Sequence, residues 1–246
     1  MKTLLRYPGG KSRAVKHILP YFPKELTELC SPFFGGGAVE FALASKGVKI
    51  YGYDSFEPLT KFWEVALTTP ALLAKEVKEY HPMDKDTFYR IQREHSLYMN
   101  PIDVAASFYA LNRASFSGST LSGGMSPSHP RFNASSIKRL AEFKAPNVSV
   151  ACMDFKDSLT KHPDTFLYCD PPYVIESMLY GNKGSTHKGF DHEGLASILK
   201  ARTGWVLSYN NCDYVKELYK GYEFVYPEWK YGMSSDKQSK EILILG

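Results

Sequence analysis

The sequence lacks the residue patterns of metal-binding and disulfide-bonded proteins. Its four cysteines are widely spaced and form no Cys-x-x-Cys pair, and its seven histidines form no His-Glu-x-x-His motif or similar cluster. Zinc sites and disulfide frameworks depend on such spacings. We therefore expect no metal ion in this protein.

The sequence also lacks a membrane span and a secretory signal. No run approaches the roughly 18 apolar residues that span a bilayer, and the first ten residues contain no apolar signal region. The hydrophobic content of 43% suits a globule with a core, as one domain or one domain with an insertion. We expect a cytoplasmic protein without a membrane partner.

Acidic residues are missing from one long window. The net charge is only +4, yet residues 104–141 contain no Asp or Glu. The window is rich in Ser and Gly, and it includes Arg113, Arg131, Lys138 and Arg139. Such a segment is typical of a surface that binds a polyanion, although a solvated loop can also lack acids.

The most informative residues present are Asp-Pro-Pro-Tyr at 170–173, called the tetrad below. They follow an apolar and aromatic run at 165–169 that predicts a short buried strand, and ligands bind at the carboxyl ends of strands in open α/β sheets. Asp170 can accept hydrogen bonds from an amino group, and two prolines leave rigid carbonyl acceptors without N–H donors. Tyr173 offers a flat face for stacking on a base. The tetrad suits the exocyclic amine of a planar ring; the alternative is a turn that only ends a strand.

A glycine turn predicts a second binding element. Gly35, Gly36 and Gly37 lie between a predicted strand at 26–30 and a predicted helix at 38–46, although the third position of a dinucleotide fingerprint is Glu40. Asp54 ends the next predicted strand, where a carboxylate can accept from both ribose hydroxyls. Because the turn lacks a conventional phosphate cradle, a nucleoside cofactor such as S-adenosylmethionine fits better than NAD.

The remaining pattern predicts an α/β fold. Further strands are predicted at 148–151, 166–169, 205–208, 223–226 and 241–245, and helices at 11–22, 191–201 and 211–220. Two β-rich blocks, residues 1–55 and 147–246, thus flank a helical and loop insertion at 56–146. The Ser/Gly-rich loop at 116–134 is long enough to suggest a functional role.

Four segments together resemble one family, the Dam-type (alpha-class) site-specific DNA adenine-N6 methyltransferases. They are Leu-Arg-Tyr-Pro-Gly-Gly-Lys at 5–11, Pro-Phe-Phe-Gly-Gly-Gly at 32–37, Tyr-Gly-Tyr-Asp at 51–54 and the tetrad. The resemblance covers almost the whole chain. It implies a Rossmann-like S-adenosylmethionine-dependent methyltransferase sheet, formed by 1–55 and 147–246, with a target-recognition insertion at 56–146.

The resemblance also implies the role of each site residue. The catalytic residues would be Asp170, Pro171, Pro172 and Tyr173. The cofactor contacts would be Tyr7, Lys11, Phe34, Gly35, Gly36, Asp54, Asp154, Phe155 and Asp170. The DNA contacts would be Asn112, Arg113, Ser117, Arg131, Asn133, Lys138 and Arg139. A second polar loop at 231–238 resembles one that faces DNA in relatives.

The function that follows is methyl transfer from S-adenosylmethionine to N6 of an adenine flipped out of double-stranded DNA, with S-adenosylhomocysteine as the product. The enzyme would act in the cytoplasm, or in the host cell if a phage or virus encodes it, and a cognate restriction endonuclease is a further partner left open. The alternatives are the same chemistry on cytosine N4, RNA adenine or protein glutamine, and a catalytically inactive DNA-binding module.

Overall fold

One seven-stranded sheet forms the centre of the computed structural model, which describes residues 1–127, 131–174, 189–227 and 241–246. The strands are β1 Glu28–Ser31, β2 Lys49–Asp54, β3 Val148–Cys152, β4 Leu167–Cys169, β5 Trp205–Asn210, β6 Glu223–Val225 and β7 Glu241–Leu245. The helices are α1 Val15–Ile18, α2 Ala38–Ala44, α3 Glu57–Thr68, α4 Pro70–Lys78, α5 Lys85–Glu94, α6 Pro101–Ala114, α7 Ala134–Ala141, α8 Phe155–Lys161, α9 His192–Lys200 and α10 Asp213–Leu218.

The strand order is β3-β2-β1-β4-β5-β7-β6. The pairs among β3, β2, β1, β4 and β5 are parallel, whereas β7 lies antiparallel between β5 and β6. The strand order reverses at β1, which lies between β2 and β4, and such a switch point opens a ligand crevice at the carboxyl ends of the strands. This topology confirms the Rossmann-like α/β sheet expected from the sequence.

The predicted βαβ unit is confirmed around the glycine turn. β1 leads through the turn into α2, and β2 returns parallel to β1. Gly37, just before α2, has a φ of +66°, and a Cβ atom there would lie only 2.7 Å from Cε2 of Phe41. A left-handed backbone with no room for a side chain requires glycine, so this residue allows the tight entry into α2.

Helices α3 to α7 lie between β2 and β3 in the chain. α3 packs against both of these strands and against α6. Phe62 of α3 stacks on Tyr109 of α6 with 5.5 Å between ring centroids. The hydrophobic core therefore continues from the sheet into these helices, and a separate recognition unit at 56–146 stays a prediction about function.

The observed elements follow the predicted ones within two residues at each end, except near the N-terminus. There the predicted helix at 11–22 is shorter, because α1 ends at Ile18 and a 3-10 turn Leu19–Tyr21 follows. Pro20 has no N–H to donate back to residue 16, which explains why the α-helix stops. The predicted polar loop at 231–238 lies outside the described residues, as do residues 128–130 of the 116–134 loop.

Candidate active site

The tetrad lies at the carboxyl end of β4, at the edge of the sheet where the switch point opens. β4 pairs with β1 on one side and with β5 on the other. Pro171 is buried, whereas Asp170, Pro172 and Tyr173 are half-buried. The structure thus places the predicted acceptors in the expected crevice.

Lys11 is the direct partner of the tetrad. Its Nζ atom lies 2.8 Å from Oδ2 of Asp170, donates a 3.0 Å hydrogen bond to the carbonyl of Gly9, and lies 5.1 Å from the ring centroid of Tyr173. The side chain is only 4% exposed. Burial raises the pKa of Asp170, and the Lys11 charge opposes that rise. The two residues predicted for cofactor and catalysis are therefore one buried ion pair.

Two further buried carboxyl groups approach this pair, and the sequence analysis did not single out either as functional. Glu241 at the start of β7 lies 3.7 Å from Lys11 Nζ through Oε1. Glu40 on α2 accepts a 2.7 Å hydrogen bond from the Ser31 hydroxyl. Burial raises the pKa of each to about 7. The only local hint of Glu241 in the sequence is that a charged residue begins an otherwise apolar strand.

Tyr7 covers the glycine turn, as its predicted role requires. A Cβ atom on Gly35 would lie 3.1 Å from Cε1 of Tyr7, and one on Gly36 would lie 2.9 Å from Cβ of Tyr7. Both glycines are thus needed for the ring to lie this close. The pKa of Tyr7 is raised by burial and then by the negative charges of Asp54 and Asp170, so its hydroxyl lies near both carboxylates.

Asp54 ends β2 with its carboxylate held in place by the backbone. Oδ2 accepts a 2.9 Å hydrogen bond from the N–H of Gly35, and Oδ1 accepts a 3.0 Å bond from the N–H of Phe56. Burial raises the pKa of Asp54 despite these bonds. A carboxylate offers about four acceptor sites, so capacity remains for a further hydrogen bond from a ligand.

Asp154 and Phe155 lie beside Asp54 at the same edge of the sheet. The N–H of Met153 donates 3.1 Å to the carbonyl of Asp54, and Asp154 caps α8 by accepting a 2.8 Å bond from the N–H of Lys156. The Phe155 ring is buried against Phe33, with 5.6 Å between centroids. Strand-end acids beside aromatic rings fit the ribose and base of a nucleoside cofactor such as S-adenosylmethionine.

Phe34 is the predicted cofactor residue whose side chain the structure does not bring to the site. Its ring packs against Gly52, where a Cβ atom would clash, and meets Phe41 and Trp63 edge-on. It is 2% exposed. Only its backbone faces the turn, and the neighbouring ring of Phe33, which the sequence analysis missed, faces Phe155 instead.

Asn210, which the sequence analysis also missed, binds the chain just after the tetrad. Its Oδ1 accepts a 3.0 Å hydrogen bond from the N–H of Val174, and its Nδ2 donates a 2.9 Å bond to the carbonyl of Val174. Asn210 ends β5, the neighbour of β4. Its place at the end of a strand next to β4 could have indicated it, because ligands bind at such strand ends.

Arginines of the acid-free window at 104–141 lie close together in the segment predicted to contact DNA. Arg113 at the end of α6 donates through Nε to the carbonyl of Arg131 at 3.0 Å, and Arg139 donates to the carbonyl of Thr3 at 3.1 Å. The pKa of Arg113 is lowered by burial and by the nearby charges of Arg139, Arg6 and Arg131. Within the described ranges, Arg113, Arg131 and Arg139 form no ion pair with a carboxylate. This arginine cluster (Arg6, Arg113, Arg131, Arg139) is suited to an external anion.

Other residues of the predicted DNA surface have structural contacts. Asn112 is fully buried, and its side chain forms hydrogen bonds with both backbone groups of Arg6 and with Thr120. The side chain is therefore not exposed for a direct contact with DNA. Asn133 caps α7 through a capping box with Ser136. Lys138 is exposed and lies 3.8 Å from Glu142.

Ser117 lies in a loop that crosses this face. The backbone of the loop turns back on itself, because the N–H of Phe116 bonds the carbonyl of Gly124 at 2.9 Å. Gln92 of α5 holds the far side through Nε2 bonds of 2.7 and 2.9 Å to the carbonyls of Thr120 and Gly123. Phe116, which the sequence analysis missed, is 56% exposed, so the loop presents an aromatic ring beside Ser117.

Comparison with protein families settles the class of this site. Residues 7–233 match the model of the D12 class of N6 adenine-specific DNA methyltransferases. The chain belongs to this family. The match includes Tyr7, the glycine turn, the arginine cluster apart from Arg6, and the tetrad.

Individual relatives agree with the family. The chain is 22% identical to the Type II methyltransferase M.CviBI of Paramecium bursaria Chlorella virus NC1A, over 94% of this chain and 91% of the viral protein. It is 24% identical to the DNA adenine methylase of Vibrio cholerae, over 89% and 85%. It is 27% identical to the Type II methyltransferase M.MjaIII of Methanocaldococcus jannaschii, over 70% and 69%.

This D12-family chain is therefore an adenine-specific DNA methyltransferase with DNA as its substrate. Enzymes of this kind generally take their methyl group from S-adenosylmethionine. In the described portion of the chain, no three His, Cys, Asp or Glu residues are grouped to hold a metal ion. No described helix is long and apolar enough to cross a membrane.

Proposed function

We propose that this D12-family enzyme is a site-specific methyltransferase that acts on N6 of an adenine flipped out of double-stranded DNA, with S-adenosylmethionine as the methyl donor. The observation that carries the proposal is the buried Asp170–Lys11 pair at the switch point of the sheet. The two carboxylates Asp54 and Asp154 lie along the same edge.

The cofactor is proposed to lie along the ends of β1, β2 and β3. Asp54 would accept from the two ribose hydroxyls, Asp154 from the amino group of the base, and Phe33 and Phe155 would flank the ring. When bound, S-adenosylmethionine would supply the methyl group that N6 receives, with S-adenosylhomocysteine as the product and the displaced N6 proton passing to solvent. Tyr7 and the backbone of residues 34–36 would enclose the methionine part.

The tetrad is proposed to hold the adenine. Adenine inside a duplex hides its N6, so the base must leave the stack at a cost of a few kcal/mol. Asp170 and the carbonyl of Pro171 would accept the two N6 hydrogens, which draws the nitrogen lone pair out of conjugation with the ring. Pro172 would keep the segment rigid and Tyr173 would stack on the base. Most of the acceleration would come from placement and oriented acceptors.

The arginine cluster and the loop around Phe116 are proposed to bind the duplex. Arg113, Arg131 and Arg139 would contact phosphates or base edges, with Lys138 and Asn133 at the margin. The exposed Phe116 ring would insert at the base step that the flipped adenine leaves, as apolar wedges do in other DNA-bending proteins. Ser117 would contact the bases next to it.

The relatives do not favour the other substrates considered from the sequence. The family description names N6 of adenine, which argues against cytosine N4, RNA and protein glutamine. An inactive binding module is not favoured either, because Asp170, Lys11, Asp54 and Tyr7 are assembled together. A cognate restriction endonuclease stays a prediction, since the relatives include both Type II methyltransferases and DNA adenine methylases.

The decisive experiment measures methylated nucleosides. Double-stranded DNA is incubated with the protein and isotope-labelled S-adenosylmethionine, and the digested nucleosides are identified by mass spectrometry. We expect N6-methyladenine, and sequencing of the methylated DNA should show one short recognition site. Label in cytosine, or at adenines without sequence preference, would contradict the proposal.

A further inference from the structure

Three ionisable groups from distant parts of the chain meet at the start of the tetrad. Lys11 follows Gly9 and Gly10 near the N-terminus, Asp170 follows β4, and Glu241 begins β7. The Lys11 ammonium lies 2.8 Å from Asp170 and 3.7 Å from Glu241. We call these three residues the Lys11 cluster.

Glu241 is not explained by the packing of its own strand. The next three residues of β7 are Ile242, Leu243 and Ile244, and all three are fully buried. Glu241 itself is only 6% exposed. A buried ion pair is often no better for stability than an apolar residue of similar size. Stability alone therefore gives little reason for a carboxyl group at this position.

The position of Glu241 does have a consequence for Asp170. A carboxylate that pairs with a buried ammonium by itself is strongly neutralised, which weakens it as an acceptor of further hydrogen bonds. A second carboxylate on the same ammonium divides that attraction. Because Asp170 is the proposed acceptor for N6, the ionisation of Glu241 bears directly on how strongly Asp170 holds the adenine.

We propose that Glu241 is a positioning residue for methyl transfer, which shares the Lys11 ammonium with Asp170 and so keeps the Asp170 carboxylate available to the amino group of the substrate. The proposal rests on the proposed function and adds a residue to it. Glu241 touches neither adenine nor the cofactor; it lies near Lys11 and Tyr173, and it acts through Lys11.

The protonation of Glu241 makes the proposal testable. Burial raises the pKa of Glu241 to about 7, Lys11 opposes the rise and Asp170 adds to it. The other titratable groups near the cluster are Tyr173, Tyr168 and Glu40. Below that pH Glu241 is neutral, so the Lys11 ammonium pairs with the Asp170 carboxylate alone. Above it Glu241 is ionised, and the ammonium pairs with both carboxylates. Methyl transfer by the wild type should therefore rise as pH increases through about 7.

The first experiment measures single-turnover methyl transfer from preformed enzyme–DNA complexes between about pH 6 and pH 8.5. Preformed complexes remove the pH dependence of DNA binding. At the high end we expect Glu241→Gln to be about tenfold slower than the wild type or more, as for a misplaced catalytic group. At the low end the two should converge, and the rise near pH 7 should be absent from the variant.

Three further variants separate charge from structure. Glu241→Asp retains the charge with a shorter reach, so it should keep the pH-dependent rise at a lower rate. Glu40→Gln removes the other carboxyl of similar pKa, which bonds Ser31 rather than Lys11, and it should keep the rise. Glu223→Gln on the exposed start of the neighbouring β6 should behave as the wild type.

The Gln variant is expected to fold. Gln matches Glu in shape, and a folded-state pKa raised to about 7 means that the ionised carboxyl destabilises the folded protein above that pH. Thermal unfolding at about pH 8 should show the variant to be no less stable than the wild type. A lower melting temperature together with an unchanged pH profile would indicate a purely structural residue and would overturn the proposal.

A second readout needs no activity. Carboxyl carbon NMR of the protein without DNA should show Glu241 titrating near pH 7, with a matching step in the Asp170 signal that disappears in Glu241→Gln. Independent titration of the two groups, or a Gln variant within twofold of the wild-type rate throughout, would refute the role of Glu241. Failure of the wild type to methylate adenine would refute the proposed function instead, and the NMR result would still decide the coupling.

Discussion

The Lys11 cluster places one cation between two carboxyl groups, whereas the arginine cluster brings several cations close together. Lys11 is 4% exposed and lies within 4 Å of two carboxylates of the same chain. Arg113, Arg131 and Arg139 lie in a segment without acids and form no ion pair among the described residues. A cation paired with carboxylates inside the protein, such as Lys11, can adjust those neighbouring side chains. Arg113, Arg131 and Arg139, which have no carboxylate partner among the described residues, can bind an external anion.

The largest expected effect is at the tetrad. Asp170→Ala removes the main acceptor for N6 and should lower the single-turnover methyl-transfer rate by about a hundredfold to a thousandfold or more. The rate of labelled methyl incorporation into DNA measures this. The exposed Asp164→Ala, just before β4, is the matched control and should retain full activity. Full activity in the Asp170 variant would remove the tetrad from the chemistry.

Asn210 offers the next largest effect. Asn210→Ala removes both hydrogen bonds to Val174 and loosens the end of the tetrad, so kcat should fall by about tenfold to a hundredfold, since small misplacements cost that much. The DNA Kd should change little. Steady-state kinetics and a binding titration separate the two, with the exposed Asn211→Ala as the control. A change in Kd without a change in kcat would place Asn210 outside the chemistry.

Local patterns made the sheet, the tetrad and Asp54 predictable. Apolar runs that end in an acid identify strand ends without knowledge of the partner strands. Glu241 and Asn210 were missed because their contacts depend on β7 pairing beside β5 and on β5 pairing beside β4. Those strand pairings depend on the tertiary structure, and no residue spacing in the sequence indicates them.

The same reason explains the positions of two predicted side chains, Phe34 and Asn112. The glycine turn places the ring of Phe34 in the core and that of Phe33 toward Phe155, and the two are adjacent in sequence. Asn112 has the polarity expected of a DNA contact, yet its neighbours in space are Arg6 and Thr120. The packing of α6 turns the Asn112 side chain toward Arg6 and Thr120 rather than toward solvent.

The arginine cluster should show a moderate effect that depends on salt. Arg131→Ala should raise the DNA Kd severalfold, and loss of one phosphate contact should reduce the slope of log Kobs against log salt by about 0.9. Fluorescence anisotropy at several salt concentrations measures both. Arg90→Ala is the control, because Arg90 already pairs with Glu94 at 3.2 Å. Equal salt slopes for the two variants would argue against an unpaired phosphate-binding role.

The smallest effect on chemistry is expected at Asn112. Asn112→Ala removes the side-chain hydrogen bonds to both backbone groups of Arg6, which should lower the free energy of unfolding by about 1–3 kcal/mol. Thermal or urea unfolding measures the loss. The salt slope of DNA binding should stay at the wild-type value. A reduced slope with unchanged stability would return Asn112 to the DNA surface.

The most direct test of the division between the two clusters measures two constants on two variants. The DNA Kd and the single-turnover rate at saturating DNA are determined for Asp170→Asn and for Arg131→Ala. Asp170→Asn should lower the single-turnover rate and leave the DNA Kd unchanged, whereas Arg131→Ala should raise the Kd and leave the rate at saturating DNA unchanged. A change in the same constant, either the Kd or the rate, in both variants would contradict this division between the two clusters.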